Sequence, residues 1–168
     1  VKYGVEVTKE LLETEYKDYE VVLSVGASPI FLDKFAGFKQ TLIADDVLMG
    51  RSFPGRKIVI IGGGSVGCEL ADYLAPMVHD LAPRNRDITV IEAAPALMMR
   101  DAGAGRSSLI KRMMNKGINM ITNATLTEVS ETTITYVVNN ETKVITDADT
   151  LIFAVGYRPN TKLVSTLD

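Results

Sequence analysis

Apolar and polar positions change rhythm twice along the chain, and the changes mark its organisation. Residues 1–19 are mixed and charged, with one helical signal: Thr8 is placed as an N-cap for a short helix over 9–14, with Glu10 in its first turn. Residues 20–25 predict a buried strand that ends at Gly26-Ala27-Ser28-Pro29, where the proline stops regular pairing. Residues 30–43 carry no clear period. A helical turn is predicted over 45–49, closed by Gly50, and the segment Arg51-Ser-Phe-Pro-Gly-Arg-Lys57 is the polar, Pro- and Gly-punctuated link expected ahead of a new domain.

From Lys57 the pattern is α/β. Residues 58–61 form a wholly apolar, β-rich run, as in a central parallel strand covered on both faces. A glycine turn follows over 62–67. A helix is then predicted from Val66 to Leu74, with Val66, Leu70, Ala71 and Leu74 on one face, weakened by Pro76 and ended by Pro83. A second strand covers 88–92. A helix over 106–116 turns Leu109, Ile110, Met113 and Met114 inward and stops at Gly117, and a third strand covers 118–122. The period then drops to two: strands over 125–129, 133–138 and 143–146, with Asn139-Asn140 as a turn, predict an antiparallel meander. A last buried strand over 149–155 ends at Gly156.

Composition removes several classes of function. A net charge of −3 argues against nucleic acid, and the short Arg84–Arg86 cluster is followed by Asp87, as in a solvated loop. No apolar stretch approaches the roughly 20 residues that span a bilayer, and the N-terminus has no basic-then-apolar leader. One cysteine, Cys68, excludes an internal disulfide and a CxxC pair; with one histidine, His79, zinc sites built from Cys and His are also excluded. The compartment expected is a reducing cytoplasm. The chain opens without Met and in mid-pattern, so a piece of a larger protein is expected.

The most informative stretch is Gly62-Gly63-Gly64-Ser65-Val66-Gly67, which sets Gly62, Gly64 and Gly67 in G-x-G-x-x-G spacing directly after a strand and at the opening of a helix. Gly62 permits the tight turn. The missing Cβ of Gly64 lets backbone approach a pyrophosphate, and Gly67 lets helix pack on sheet. Amides of the first helical turn then face the phosphates. The matching acid at the end of the next strand is Glu92. It lies farther on than the roughly 20 residues usual, because residues 76–87 are long. A carboxylate there accepts from a ribose diol and repels a 2′-phosphate, and Ala93, Ala94 and Pro95 bring no arginine to receive one. NAD(H) is therefore expected over NADP(H).

Ile60-Ile-Gly-Gly-Gly-Ser-Val-Gly-Cys-Glu-Leu-Ala71, the meander and Asp149-Thr-Leu-Ile-Phe-Ala-Val-Gly-Tyr-Arg-Pro-Asn160 together resemble the pyridine nucleotide-disulfide oxidoreductase superfamily. More narrowly the chain is similar to the C-terminal part of NADH:flavin oxidoreductases related to Old Yellow Enzyme, such as 2,4-dienoyl-CoA and 2-enoate reductases; Leu23-Ser-Val-Gly-Ala-Ser28 and Ala44-Asp-Asp-Val-Leu-Met-Gly50 fit that group as well. The resemblance implies a Rossmann-like NAD(H) domain (parallel sheet, helices and a three-stranded antiparallel meander) over 51–156. Residues 1–50 would be a remnant of an outer FAD-type domain with its connector, and 157–168 the start of the return to it. It implies a flavin, FAD or FMN, in the full-length protein. It also implies two crossing points near cofactors, at Gly26-Ala27 and Val155-Gly156, and places Glu69 near the nicotinamide side; an ordinary helix N-terminal acid is the equal alternative for Glu69.

The candidate nucleotide-binding set is thus Gly62, Gly63, Gly64, Ser65, Val66, Gly67, Glu69, Glu92, Ala93, Val155, Gly156, Gly26 and Ala27, with no catalytic and no metal-ligating residue. The outer domain's own glycine fingerprint and the flavin and iron–sulfur barrel of such enzymes are missing from the sequence. The fragment is therefore expected to bind NADH and to do no chemistry alone, with the missing domains as its partners and a homo-oligomer conceivable. Two other functions stay open: an adenine-nucleotide-binding interaction module without redox activity, and a small reductase using free flavin. Cys68 reads as a packing residue, Met98, Met99, Met113 and Met114 as core or interdomain packing, and His79 as an exposed loop residue. Arg158 and Asn160 either meet the missing domain or cap a turn.

Overall fold

The computed structural model describes residues 1–75, 86–100, 103 and 105–167. Its internal contacts divide into two units, Val1–Ser28 with Tyr157–Asp168, and Pro29–Gly156. The expectations for Pro76, His79, Pro83 and Arg84 lie outside the described residues.

In the first unit, α1 (Lys9–Thr14) begins where the sequence puts it, and the Thr8 side chain accepts from the Leu11 amide at 3.2 Å. The strand expected over 20–25 is not formed: no strand pairs with that segment, and Val21, Val22 and Val25 are exposed. Pairing occurs one step later. β1 (Ala27–Pro29) joins a strand at Tyr157–Pro159 in a two-stranded sheet, where Pro29, at the strand's end, is tolerated.

The second unit runs β2 (Thr41–Ile43), α2 (Ala44–Leu48), β3 (Lys57–Ile61), α3 (Ser65–Leu74), β4 (Asp87–Ile91), α4 (Gly105–Asn115), β5 (Asn119–Ile121), β6 (Ala124–Val129), β7 (Ile134–Val138), β8 (Glu141–Ile145) and β9 (Thr150–Phe153). Five strands form one sheet in the order β2-β9-β3-β4-β5, with every pairing parallel. The other three form the antiparallel meander β6-β7-β8. Asn139 and Asn140 both take positive φ, 51° and 62°, the geometry of the tight hairpin turn that asparagine tolerates. β2 was not legible in the sequence, being three residues long inside an irregular stretch. It nevertheless pairs with β9 over its whole length.

The apolar run of β3 explains the layering. Ile58 and Ile60 point to one face and pack with Leu70, Ala71 and Leu74 of α3 and Leu109 and Met113 of α4. Val59 and Ile61 point to the other and pack with Phe38, Ile134, Tyr136, Leu151 and Phe153, beneath the meander. A strand buried on both faces needs no polar alternation. Each such side chain contributes roughly 1.5–3 kcal/mol by burial. Cys68 is fully buried in the helical layer, as expected of a packing residue. Met114 and Met99 are not core residues; they are 62% and 61% exposed, because α4 buries only Leu109 and Met113 and the chain turns outward after Met98.

The domain boundary expected after residue 50 does not coincide with the division of contacts, which falls after Ser28. Ala44 and Val47 of α2 sit in the helical core, and the supposed link is tied down. Asp149 Oδ2 accepts from the Arg56 and Lys57 amides at 3.0 and 2.9 Å, and the fully buried Thr150 hydroxyl accepts from the Gly55 amide at 2.9 Å while donating to Gln40 Oε1 at 2.6 Å. Those backbone bonds hold the Asp149 carboxyl below the ordinary aspartate range against a smaller opposing effect of burial.

α3 and α4 are joined by Asp72. Arg112 donates to its Oδ2 through Nε and Nη2 at 3.2 and 3.0 Å; Lys116 lies 2.9 Å from Oδ1 and donates to the Asp72 carbonyl at 2.6 Å. Burial pushes the Asp72 carboxyl up, but the two cations outweigh it and hold the group below its usual value. A carboxyl lowered in the folded state stabilises above its unfolded value, about 3.9, and that stabilisation is lost as pH falls through the folded value. Asp72→Asn is expected to destabilise the chain by about 1 kcal/mol at pH 7. The difference should shrink on acidification below about pH 4 and vanish once the pH is below the lowered folded value, as read by urea unfolding at a series of pH values.

Candidate functional site

β3 ends at Ile61, and the chain passes through three glycines into α3. Gly62 takes φ +105°, and a Cβ there would run into the carbonyl oxygen of Ala154 and reach 3.2 Å from the Val155 amide. Gly67, in the first turn of α3, is closer still: a Cβ would overlap the Gly62 carbonyl oxygen and stand 3.2 Å from the Ala154 Cβ. These two glycines are required by the fold itself. They let the helix seat on the ends of β3 and β9.

Gly64 is of another kind. A Cβ on it would meet nothing within 4 Å, and its backbone is extended at φ −72°, ψ −173°. It is the N-cap of α3 and offers no capping side chain. The first intrahelical bond runs from the Cys68 amide to the Gly64 carbonyl at 3.0 Å, so the helix does not itself use the amides of its first turn. The result is an exposed notch lined by backbone N–H at the positive end of a helix, a geometry that suits an anion.

Glu92, just past the end of β4, reaches back into this loop. Its Oε2 accepts from the Gly63 amide at 2.5 Å and its Oε1 from the Ala94 amide at 2.7 Å. A carboxylate has about four lone-pair positions, so each oxygen keeps room for a further donor such as a ribose hydroxyl. Gly63 is also held from the other side: its carbonyl accepts from the Met98 amide at 2.7 Å and from Cys68 Sγ at 3.4 Å. Met98 was missed as part of the site because a backbone amide leaves no residue-type signal. Its only mark is a φ of +49° in a non-glycine residue, invisible in sequence.

The structure therefore gathers most of the expected set. Gly62, Gly63, Gly64 and Gly67 form the loop, Ser65 and Val66 are half-buried in the first turn of α3, and Glu92 closes onto Gly63, with Ala93 exposed beside it. Val155 lies against Gly62. Gly156, at φ +98°, accepts from the Ile30 amide at 2.9 Å. Glu69 is exposed on α3 and pairs with no charged group among the described residues. Gly26 and Ala27 belong to the other unit. There Gly26, at φ +71°, accepts from the Asn160 amide, and the Asn160 side chain accepts from Ser28 Oγ at 2.8 Å and donates to the Val25 carbonyl at 3.0 Å. Asn160 thus ties a turn. Among the described residues no group of three or more His, Cys, Asp or Glu is placed to hold a metal ion, and no helix is long and apolar enough to cross a membrane.

A family model described as pyridine nucleotide-disulphide oxidoreductase matches residues 2–168. The dihydrolipoyl dehydrogenase of Geobacillus stearothermophilus is 31% identical over 150 residues, covering 87% of this chain and 30% of that protein. The cinnamate reductase of Clostridium sporogenes is 29% identical over 168 residues, covering 98% of this chain and 24% of that protein. Among solved structures, 2-naphthoyl-CoA reductase in complex with 2-naphthoyl-CoA superposes with a TM-score of 0.70 at 20% identity, covering 85% of this chain and 21% of the other, a likeness of fold. The chain spans about a quarter to a third of the length of the curated relatives it matches.

The two kinds of glycine separate experimentally. Gly67→Ala is expected to cost about 1–3 kcal/mol through the overlap with Gly62, whereas Gly64→Ala changes stability by less than about 0.5 kcal/mol. Paired thermal unfolding of the two variants measures the contrast; equal losses would mean that Gly64 is held by the fold.

Proposed function

The chain belongs to the pyridine nucleotide-disulphide oxidoreductase family, and on that premise we propose that Pro29–Gly156 is the NAD(H)-binding domain of a flavin-dependent oxidoreductase. The observation that carries the reading is Gly64: an exposed glycine with open space above it, at the uncapped start of α3, between two glycines that the fold does require. The fold has no use for a missing side chain there, and an approaching diphosphate does.

In this reading the backbone amides around Gly64 bind the diphosphate, and Glu92 orients the adenosine ribose through its remaining lone pairs. A 2′-phosphate would be repelled by the same carboxylate; two unit charges about 4 Å apart oppose each other by about 4 kcal/mol at an effective dielectric near 20. NADH is accordingly the preferred dinucleotide. Bound NADH supplies a hydride for a flavin, FAD or FMN, held mainly outside this chain. The chain's own part is orientation and electrostatics, so the fragment alone is inactive.

The substrate we assign to the whole protein is an activated alkene, such as an enoate or dienoyl-CoA. In support, the relative matched over 98% of this chain is named cinnamate reductase. With a single cysteine the chain forms no internal disulfide, which fits the reducing cytoplasm in which we place it.

Gly64→Val is expected to abolish NADH binding while the chain keeps its unfolding temperature. Undiminished affinity by titration calorimetry would overturn the assignment of the loop. Glu92→Arg is expected to shift the NADPH-to-NADH affinity ratio by about tenfold or more toward NADPH; an unchanged ratio removes Glu92 from the ribose site.

A further inference from the structure

The Gly63–Gly64 peptide is trans and planar, so its carbonyl and its N–H point in opposite directions. Whatever fixes the Gly63 carbonyl therefore aims the Gly64 N–H. That carbonyl accepts from the Met98 amide at 2.7 Å. The Gly64 N–H makes no hydrogen bond among the described residues and is directed away from Met98. If this peptide rotated by half a turn, a carbonyl oxygen would face the notch in place of a donor, and a diphosphate would meet a negative dipole.

The Met98 amide is in place because of an unusual backbone. Met98 sits at φ +49°, a region unfavourable for a non-glycine residue that persists only where the surroundings impose it. Its side chain is 7% exposed, and Leu97 beside it packs onto Gly63, where a Cβ would collide with Leu97 Cδ2. The remaining constraint comes from α4. Arg106 Nε donates to the Leu97 carbonyl at 3.0 Å from a half-buried position. Its guanidinium makes no ion pair among the described residues.

We propose that Arg106 is a positioning residue for the dinucleotide site: by holding the Leu97 carbonyl it fixes the Met98 amide on the Gly63 carbonyl, and so presents the Gly64 N–H to the diphosphate. This rests on the nucleotide-binding reading above and adds to it a residue outside the glycine fingerprint, thirty-nine positions after Gly67 in sequence. Arg106 acts on the part common to all dinucleotides. It does not read the ribose.

The experiment measures NADH, NADPH and ADP-ribose affinity by titration calorimetry on the 168-residue chain and on Arg106→Leu and Arg106→Lys. Arg106→Leu keeps the apolar stem and removes the donor; Arg106→Lys restores one. The expected result is the same rise in Kd for all three ligands in Arg106→Leu, about tenfold, as for loss of one charge-assisted hydrogen bond. Arg106→Lys should recover affinity to within about threefold of wild type. Amide exchange on the unliganded wild-type chain, which needs no variant to fold, should show the Met98 N–H protected. Unchanged affinity in Arg106→Leu, a loss confined to NADPH, no rescue by lysine, or an unprotected Met98 amide each overturns the proposal. A wild-type chain that binds none of the three ligands instead overturns the nucleotide-binding reading itself.

Discussion

Everything at the candidate site follows from one close approach, that of the Gly67 α-carbon to the Gly62 carbonyl and the Ala154 side chain. No residue with a Cβ fits at Gly67. With it absent, α3 starts directly above the end of β3 and beside β9, so the positive end of the helix stands at the edge of the parallel sheet. Open parallel sheets present their ligand crevices beyond the carboxyl ends of their strands. The contact between Gly67 and Gly62 is what brings a helix N-terminus there.

That geometry sets up an electrostatic tension which the structure resolves locally. A notch at the positive end of a helix has a carboxylate, Glu92, within hydrogen-bonding distance of its own loop. Left bare, that charge would weaken anion binding. It is instead engaged by two backbone amides, of Gly63 and Ala94, which disperse its charge. The peptide of Gly63 is then restrained at both ends, by Glu92 at its amide and Met98 at its carbonyl. A loop of consecutive glycines would otherwise lose much conformational entropy on ordering. Hydrogen bonds from outside the loop are the reason three glycines in a row can form a defined cradle.

How much of this was legible in sequence depended on whether a local rule applied. The buried strand β3, the glycine turn, α3 and the meander were readable because each has its own period or its own turn chemistry, as at Asn139-Asn140. Glu92 was readable from its place after a second β-rich run. β2 was not, because three residues carry too little pattern and its strand character comes from pairing with β9. Residues 20–25 failed for the converse reason: an apolar run is a strand only where it has a partner. Met98 and Arg106 were beyond reach, since their roles run through a carbonyl, an amide and a positive φ, none of which a residue name encodes.

The segment over 51–57 shows the limit of composition as a guide to domain boundaries. Its proline, glycine and charges have the make-up of a flexible link, yet the amides of Gly55, Arg56 and Lys57 are all taken up by Thr150 and Asp149. A true linker leaves its amides to water. Because these are committed, β2 and α2 are drawn into the same unit as the glycine loop, and the chain enters that unit at Pro29 and leaves it at Gly156. The two ends meet in one backbone bond, from the Ile30 amide to the Gly156 carbonyl at 2.9 Å. A continuous stretch whose ends lie together is the form an inserted domain takes, because it interrupts its host at a single point. The glycine loop, Glu92 and the Met98–Arg106 brace all lie within that one unit, and the geometry of the notch is set by the unit's own residues.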